Sequence, residues 1–302
     1  MSDVYCYGMI APSTVLMIRD DFVFPPPNGY AEIARTVQSI GGEAANSAIV
    51  LARLGLVTKL DGCWVNRRSA ERVIGTLADY GIDVSRLTTT DTESADEVVI
   101  ADGESRTVFG NYAGFHGGAR QWNEPRPEDI AEAAMVCMDP WFGPEGVLAA
   151  RLCVQHGKPY VTLDSPYDDF IAQNAAAIVI SQELRDQAYA DRDMVEVFGK
   201  YLETCAGLVI FTFGSSELWY ARRGGERVTA RPYAIEPLDT TGAGDSFRGA
   251  IGYGLLKGWP DERVVDFASA VAALVCMTMP HALNAPDLAA VEAFIEARKA
   301  GR

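Results

Sequence analysis

Short apolar runs and helical patterns take turns along most of this chain, and that alternation limits its fold more than any other feature. Val4–Ile10, Thr58–Trp64, Ala134–Met138, Tyr160–Leu163, Ala177–Ile180 and Leu208–Phe213 read as buried strands. Between them Ala44–Leu54, Ser69–Tyr80, Gly146–Gln155 and Val195–Thr204 carry helical spacing. Strands alternating with helices imply right-handed crossovers, hence an α/β fold whose mostly parallel sheet is covered on both faces. Beyond Gly242 the chain reads as helices, including Asp261–Thr278 and Asp287–Arg298. Two segments break the rhythm. Ser13–Arg19 and Glu93–Gly110 look extended and partly exposed, with a turn signal at Asp102-Gly103, and Pro25–Gly29 must be a loop. Lying between βα units, these segments suggest a small β lid with strands within residues 12–30 and 92–112; hairpins that merely decorate the core are the alternative.

A length of 302 residues suits one large α/β domain or two modest ones, and the reading adopted is a single domain over residues 1–302. The net charge of −15 argues against nucleic acid as a partner and weakens long-range steering of anions, so an anionic ligand would rely on local amides and a metal ion. The six cysteines show no CxxC spacing and read as reduced core residues, while three dispersed histidines suggest no metal cluster. No apolar run approaches the roughly 20 residues of a membrane span. The first residues lack a basic region ahead of an apolar one, so the expectation is a cytoplasmic chain with no membrane partner.

The nonapeptide Asp239–Phe247, Asp-Thr-Thr-Gly-Ala-Gly-Asp-Ser-Phe, carries the most chemistry. Gly242, Ala243 and Gly244 leave amides uncovered where an apolar helix begins, and a helix N-terminus with bare amides attracts anions. A carboxylate in such an anion trap, Asp245, makes sense if it takes a proton from a hydroxyl while the amides hold the phosphoryl group under attack. For a lone GxGD, a glycine turn capping an ordinary helix would be the favoured explanation. Upstream, Gly41-Gly42-Glu43-Ala44-Ala45-Asn46 opens another helix, with paired glycines that permit close ligand approach and Asn46 about one turn beyond Gly42.

Together these stretches resemble the two signatures of the PfkB (ribokinase-like) carbohydrate kinases, in the family's order, with the first matching GGxxxNxAxxLxxLG at every fixed position. The resemblance implies a three-layer αβα sandwich with a β-strand lid, ATP and Mg2+ as cofactors, Asp245 as general base and the 242–244 amides as anion hole. It implies that Gly42, Asn46 and Asp139 bind the acceptor, that Thr212 and Gly214 lie near the nucleotide, and that Asp239 and Thr241 help hold a potassium ion. Ser181 stands where many relatives begin an Asn-x-x-Glu element linked to magnesium, but the acid here, Glu183, follows two residues on. A homodimer through the lid is also in keeping with the family.

One departure bears on the acceptor. Where relatives carry an Asp that grips two sugar hydroxyls, counting from Gly8 reaches Ser13, which cannot make a bidentate, charge-assisted contact. Asp20 or Asp21 are candidates to compensate from the lid. The reading is therefore an ATP-dependent kinase acting on a hydroxyl of a sugar or sugar-like molecule. A nucleoside kinase of the same fold and a non-catalytic sugar or nucleotide sensor remain alternatives. A kinase of phosphorylated sugars is weaker, since Arg106 and Arg120 do not evidently converge. A Rossmann dehydrogenase is disfavoured, because no GxGxxG follows the first strand.

Overall fold

The computed structural model describes residues 2–101 and 106–300, so the Asp102-Gly103 turn signal lies outside the described residues. In chain order the first strands are β1 (Val4–Gly8), β2 (Ala11–Ile18), β3 (Ile33–Gly41), β4 (Thr58–Gly62), β5 (Val65–Asn66), β6 (Thr89–Thr90), β7 (Glu97–Ala101) and β8 (Arg106–Gly110). They are followed by β9 (Met135–Met138), β10 (Tyr160–Leu163), β11 (Ala177–Ile180), β12 (Leu208–Thr212), β13 (Leu218–Arg222) and β14 (Val228–Ala230).

Eight strands form the main sheet in the order β14-β13-β12-β11-β10-β9-β1-β4. The six from β12 to β4 run parallel, and β13 and β14 add an antiparallel edge. Central strands such as β11, Ala-Ile-Val-Ile, are buried at every position, as a parallel sheet sandwiched between helices requires. The helices Glu43–Arg53, Ala243–Leu256 and Asp261–Cys276 pack together, and Pro144–Gln155, Phe170–Asn174 and Met194–Thr204 form a separate group. The result is a helix–sheet–helix arrangement with both faces covered. Among the described residues, no helix is long and apolar enough to cross a membrane.

The lid is a second sheet of four strands, ordered β3-β2-β7-β8. The expected lid strands are present as β2, β7 and β8, but β3 was not foreseen. Its first residues are exposed and only Ile40 and Gly41 join Ser39 in the buried end, so its alternation gives little sequence signal. Ser13 lies directly opposite Ser39 and in register with Glu97. Glu97 in turn pairs with Gly110. Cross-strand partners share a face, so Ser13, Ser39, Glu97, Gly110 and, four residues back along β8, Arg106 all project from one side of the lid.

Candidate active site

Two helix N-termini meet beneath the lid. Gly42 precedes the Glu43–Arg53 helix at φ +93°, and a Cβ there would lie 2.4 Å from the Met9 carbonyl oxygen, so only glycine fits. Gly42 thereby sets Asn46 one turn into the helix, where its Nδ2 donates to Asp245 Oδ2 at 2.9 Å. The Ser47 hydroxyl donates to the Asp245 backbone carbonyl at 3.0 Å. Asp245 sits in the first turn of the Ala243–Leu256 helix, whose N-cap Gly242 is left-handed at φ +69°. A side chain at Gly242 would press within 3.1 Å of both Asn46 Nδ2 and His281 Nδ1.

Gly244 is exposed, and a Cβ built on it meets nothing within 4 Å, which leaves open space over the helix end. Among the described residues the amides of Gly242 and Gly244 have no backbone partner, whereas the Ala243 amide points back to the Thr240 carbonyl at 3.3 Å. The expected trio of free amides is thus corrected at Ala243. What remains is an anion-attracting opening beside a carboxylate.

Arg248, one turn beyond Asp245, is fully buried. Its Nη1 meets Asp139 Oδ1 at 2.5 Å, and its Nη2 donates to Ser47 Oγ at 2.9 Å. Asp139 Oδ2 accepts from the amides of Met9 at 2.6 Å and Ala44 at 3.1 Å. Burial pushes the Asp139 carboxyl up, while the Arg248 guanidinium and the Met9 amide oppose that shift. Asp139, expected to bind acceptor, is instead the buried anchor that ties β9 to both site helices. Its oxygens are occupied and it has no exposed surface.

Unpartnered polar atoms gather at the two helix entries and on the inner face of the lid, with Thr162 Oγ1 apart in the central sheet. Asn46 Oδ1, Asp239 Oδ2, Thr241 Oγ1, His281 Nε2, Ser13 Oγ and Ser39 Oγ are all buried without a hydrogen-bond partner among the described residues. Such atoms are costly to leave unmet, so their clustering marks a place built for a ligand. Asp239 Oδ1 accepts from the Thr241 amide at 2.8 Å, which leaves Oδ2 and the Thr241 hydroxyl available. His281 Nδ1 accepts from the Ala282 amide at 2.7 Å, so the ring proton resides on Nε2. Burial holds the His281 pKa below its ordinary value, and the Asp239 and Asp245 charges pull it back up.

The lid contributes more than the sequence promised. Arg106 Nη1 reaches the Thr240 carbonyl at 3.3 Å and its Nη2 lies 3.8 Å from Glu183, so it spans the mouth of the opening. Arg120 does not take part; it pairs with Glu124 and Glu145. Asp21 is held by Arg19 on the exposed rim and Asp20 is exposed, so neither compensates for Ser13. The acid on the site-facing side is Glu97, which accepts from the Tyr112 hydroxyl.

The opposite edge is quieter. Ser181 caps the Gln182–Ala188 helix, its Oγ accepting from the Leu184 amide at 3.1 Å, and its own amide donates to Asp164 Oδ1 at 2.7 Å. Its hydroxyl oxygen thus caps the helix, while its O–H stays free to donate. The Thr212 carbonyl accepts from Arg185 Nη2, and the Thr212 hydroxyl donates to the Ile180 carbonyl at 3.4 Å. Gly214 turns at φ +58° just beyond β12. Asp164 and Glu183 are the acids at this edge, and their mutual repulsion adds to the burial that pushes the Asp164 carboxyl up.

The fold is that of the ribokinases. The structure of Arabidopsis thaliana ribokinase complexed with ribose and ATP superposes with a TM-score of 0.80 at 18% identity, covering 98% of this chain and 99% of that one. A family model described as pfkB family carbohydrate kinase matches residues 1–286, and the chain belongs to that family. Relatives include a ribokinase of Haemophilus influenzae, 25% identical over 78% of this chain and 80% of its own. A 5-dehydro-2-deoxygluconokinase of Geobacillus thermodenitrificans is 26% identical over 87% of this chain and 86% of its own.

Proposed function

We propose that this protein transfers the γ-phosphoryl group of ATP to a hydroxyl of a small polyhydroxylated acceptor, with Asp245 as general base. The observation that carries the reading is the placement of Asp245, fixed by Asn46 at 2.9 Å, in the first turn of a helix where Gly244 faces open space. The acceptor hydroxyl gives its proton to Asp245, its oxygen attacks the γ-phosphorus, and ADP leaves. Charge on the transferring group falls on the amides of Gly242 and Gly244 and on Arg106, a largely electrostatic form of catalysis. Gly42, Asn46, Ser13 and Ser39 offer the acceptor backbone proximity and hydrogen-bonding atoms.

ATP would lie along the edge near Thr212 and Gly214, consistent with relatives solved as ATP complexes. Magnesium commonly arrives on nucleotide phosphates and needs only one or two carboxylates, which Asp164 and Glu183 fit. Held there, it would neutralise charge on the nucleotide. The orphaned Asp239 Oδ2 and Thr241 Oγ1 suit a potassium ion beneath the anion hole. On the side of the lid away from Glu97, Val98 and Phe109 pair as exposed apolar residues, the surface a homodimer would cover.

The decisive assay is acceptor-dependent ADP release from MgATP, with potassium present, over a panel of sugars, polyols and nucleosides. Turnover that disappears in Asp245→Asn supports the kinase. ATP binding without turnover on any acceptor overturns it in favour of a sensor.

A further inference from the structure

The acceptor side of the site holds more negative charge than phosphoryl transfer requires. Besides Asp245, two carboxylates border it, Glu43 from the core and Glu97 from the lid. Glu43 opens the helix after Gly42, is only partly exposed, and accepts from Trp141 Nε1 at 3.2 Å. Glu97 stands against the other end of the same turn, since a Cβ built on Gly41 would collide with its Oε1. Neither makes a salt bridge among the described residues. Tyr112 ties the group together: it donates to Glu97, and burial followed by the charges of Glu97, Glu43 and Asp245 pushes its phenol up. Burial likewise raises the Glu43 carboxyl, with Asp139 and Asp245 acting in the same direction.

The cations nearby do not answer this charge. Arg248 is ion-paired with Asp139 and only partly offsets the rise of the Glu43 carboxyl, Arg106 reaches toward Thr240 and Glu183 at the phosphate mouth, and Arg72, which lines the same hollow as Glu97, donates to the Ser39 carbonyl at 2.8 Å without an ion pair to Glu97. Nor do the carboxylates converge on one point: among the described residues no three acidic, histidine or cysteine groups are placed to hold a metal ion. A spread of carboxylates without ion pairs suits an extended organic cation better than a metal ion. The independent sign of a ligand is the set of fully buried, unpartnered hydroxyls of Ser13 and Ser39, which share the lid face of Glu97.

We propose that the acceptor is a polyhydroxylated amine, whose ammonium group is seated by Glu97 and Glu43 while its reacting hydroxyl faces Asp245. This deepens the kinase reading and rests on it. Ser13, Ser39, Asn46 and the Nε2–H of His281 take the neutral hydroxyls. The charge also explains the departure at Ser13: specificity moves from a carboxylate on β2 to one on the neighbouring β7. Because Glu97 rides on the lid and Glu43 on the core, a cation between them draws the lid toward the core. A phosphorylated acceptor meets the same carboxylates as repulsion.

The test compares matched acceptors at saturating MgATP: fructose, 1-amino-1-deoxyfructose and fructose 6-phosphate, with glucose and glucosamine as a second pair. In at least one pair, kcat/KM for the amine is expected to exceed the neutral partner by about 30-fold or more, the usual consequence of a desolvated charge pair. Glu97→Gln and Glu43→Gln are each expected to shrink that ratio at least about tenfold, chiefly through KM for the amine. Thermal melting shows whether each variant folds; if one does not, the wild-type ratio and the other variant decide. Asp245-dependent turnover that prefers a neutral or phosphorylated acceptor in both series overturns the amine proposal and leaves the kinase standing. ATP binding with no turnover on any acceptor overturns the kinase reading and the amine proposal with it.

Discussion

The two halves of the cleft treat their polar groups in opposite ways. On the acceptor side, Ser13, Ser39, Asn46 and His281 keep buried donors and acceptors unmet, and Glu43 and Glu97 go without a cation among the described residues. On the edge proposed for the nucleotide, Ser181 caps its own helix, the Thr212 carbonyl is taken by Arg185, and that guanidinium lies 3.8 Å from the centre of the Phe213 ring. A surface that satisfies itself offers backbone and shape to a ligand. One that stays unsatisfied under a lid demands specific chemistry in return, which is where discrimination between acceptors belongs.

The contrast can be tested in order of expected effect. Asp245→Asn should lower kcat by about 10²- to 10⁴-fold with ATP affinity nearly intact, measured by ADP release and nucleotide titration. Near-normal turnover would remove Asp245 from the base role. Arg248→Met strands Asp139 in the core and should cost about 3–5 kcal/mol, read from denaturant unfolding. An unchanged midpoint would mean that Asp139 is solvated and free to meet ligand after all. Arg106→Ala should lower kcat about tenfold or more while leaving the melting temperature near wild type. A change confined to stability would make it a strut and not a phosphate clamp.

Ser181→Ala is the control on the satisfied side. It should cost about 1 kcal/mol of stability as a lost helix cap, with KM for ATP unchanged. A rise in that KM would return Ser181 to the nucleotide site. The smallest effect concerns pH. Because burial lowers the His281 pKa in the fold, the unfolded chain binds its proton first as pH falls below about 6.5, and stability declines from there. His281→Gln should flatten that acid limb of the stability curve, while Asp239, Asp245 and Arg106 continue to face the position.

Much of the site was legible because its residues are close in sequence. Gly42 with Asn46, and Gly242 with Asp245, each span a single helix entry, where turn geometry and helical period fix the relation locally. Arg248 went unread, although a lone positive charge one turn beyond Asp245 in an otherwise apolar helix was a signal for it. β3 was not legible at all, because most of that strand touches one neighbour and faces solvent.

The sequence alone determined the layered architecture and the two helix entries, since hydrophobic period and glycine conformation are properties of short stretches. Only tertiary structure decided which charges neutralise one another and which are left for a ligand. Asp139 could serve acceptor or core until Arg248, distant in sequence, took it into an ion pair at 2.5 Å. Glu97 gained its place only through the register of β7 against β2. Electrostatic pairing depends on distances across the fold, and no local pattern carries that information.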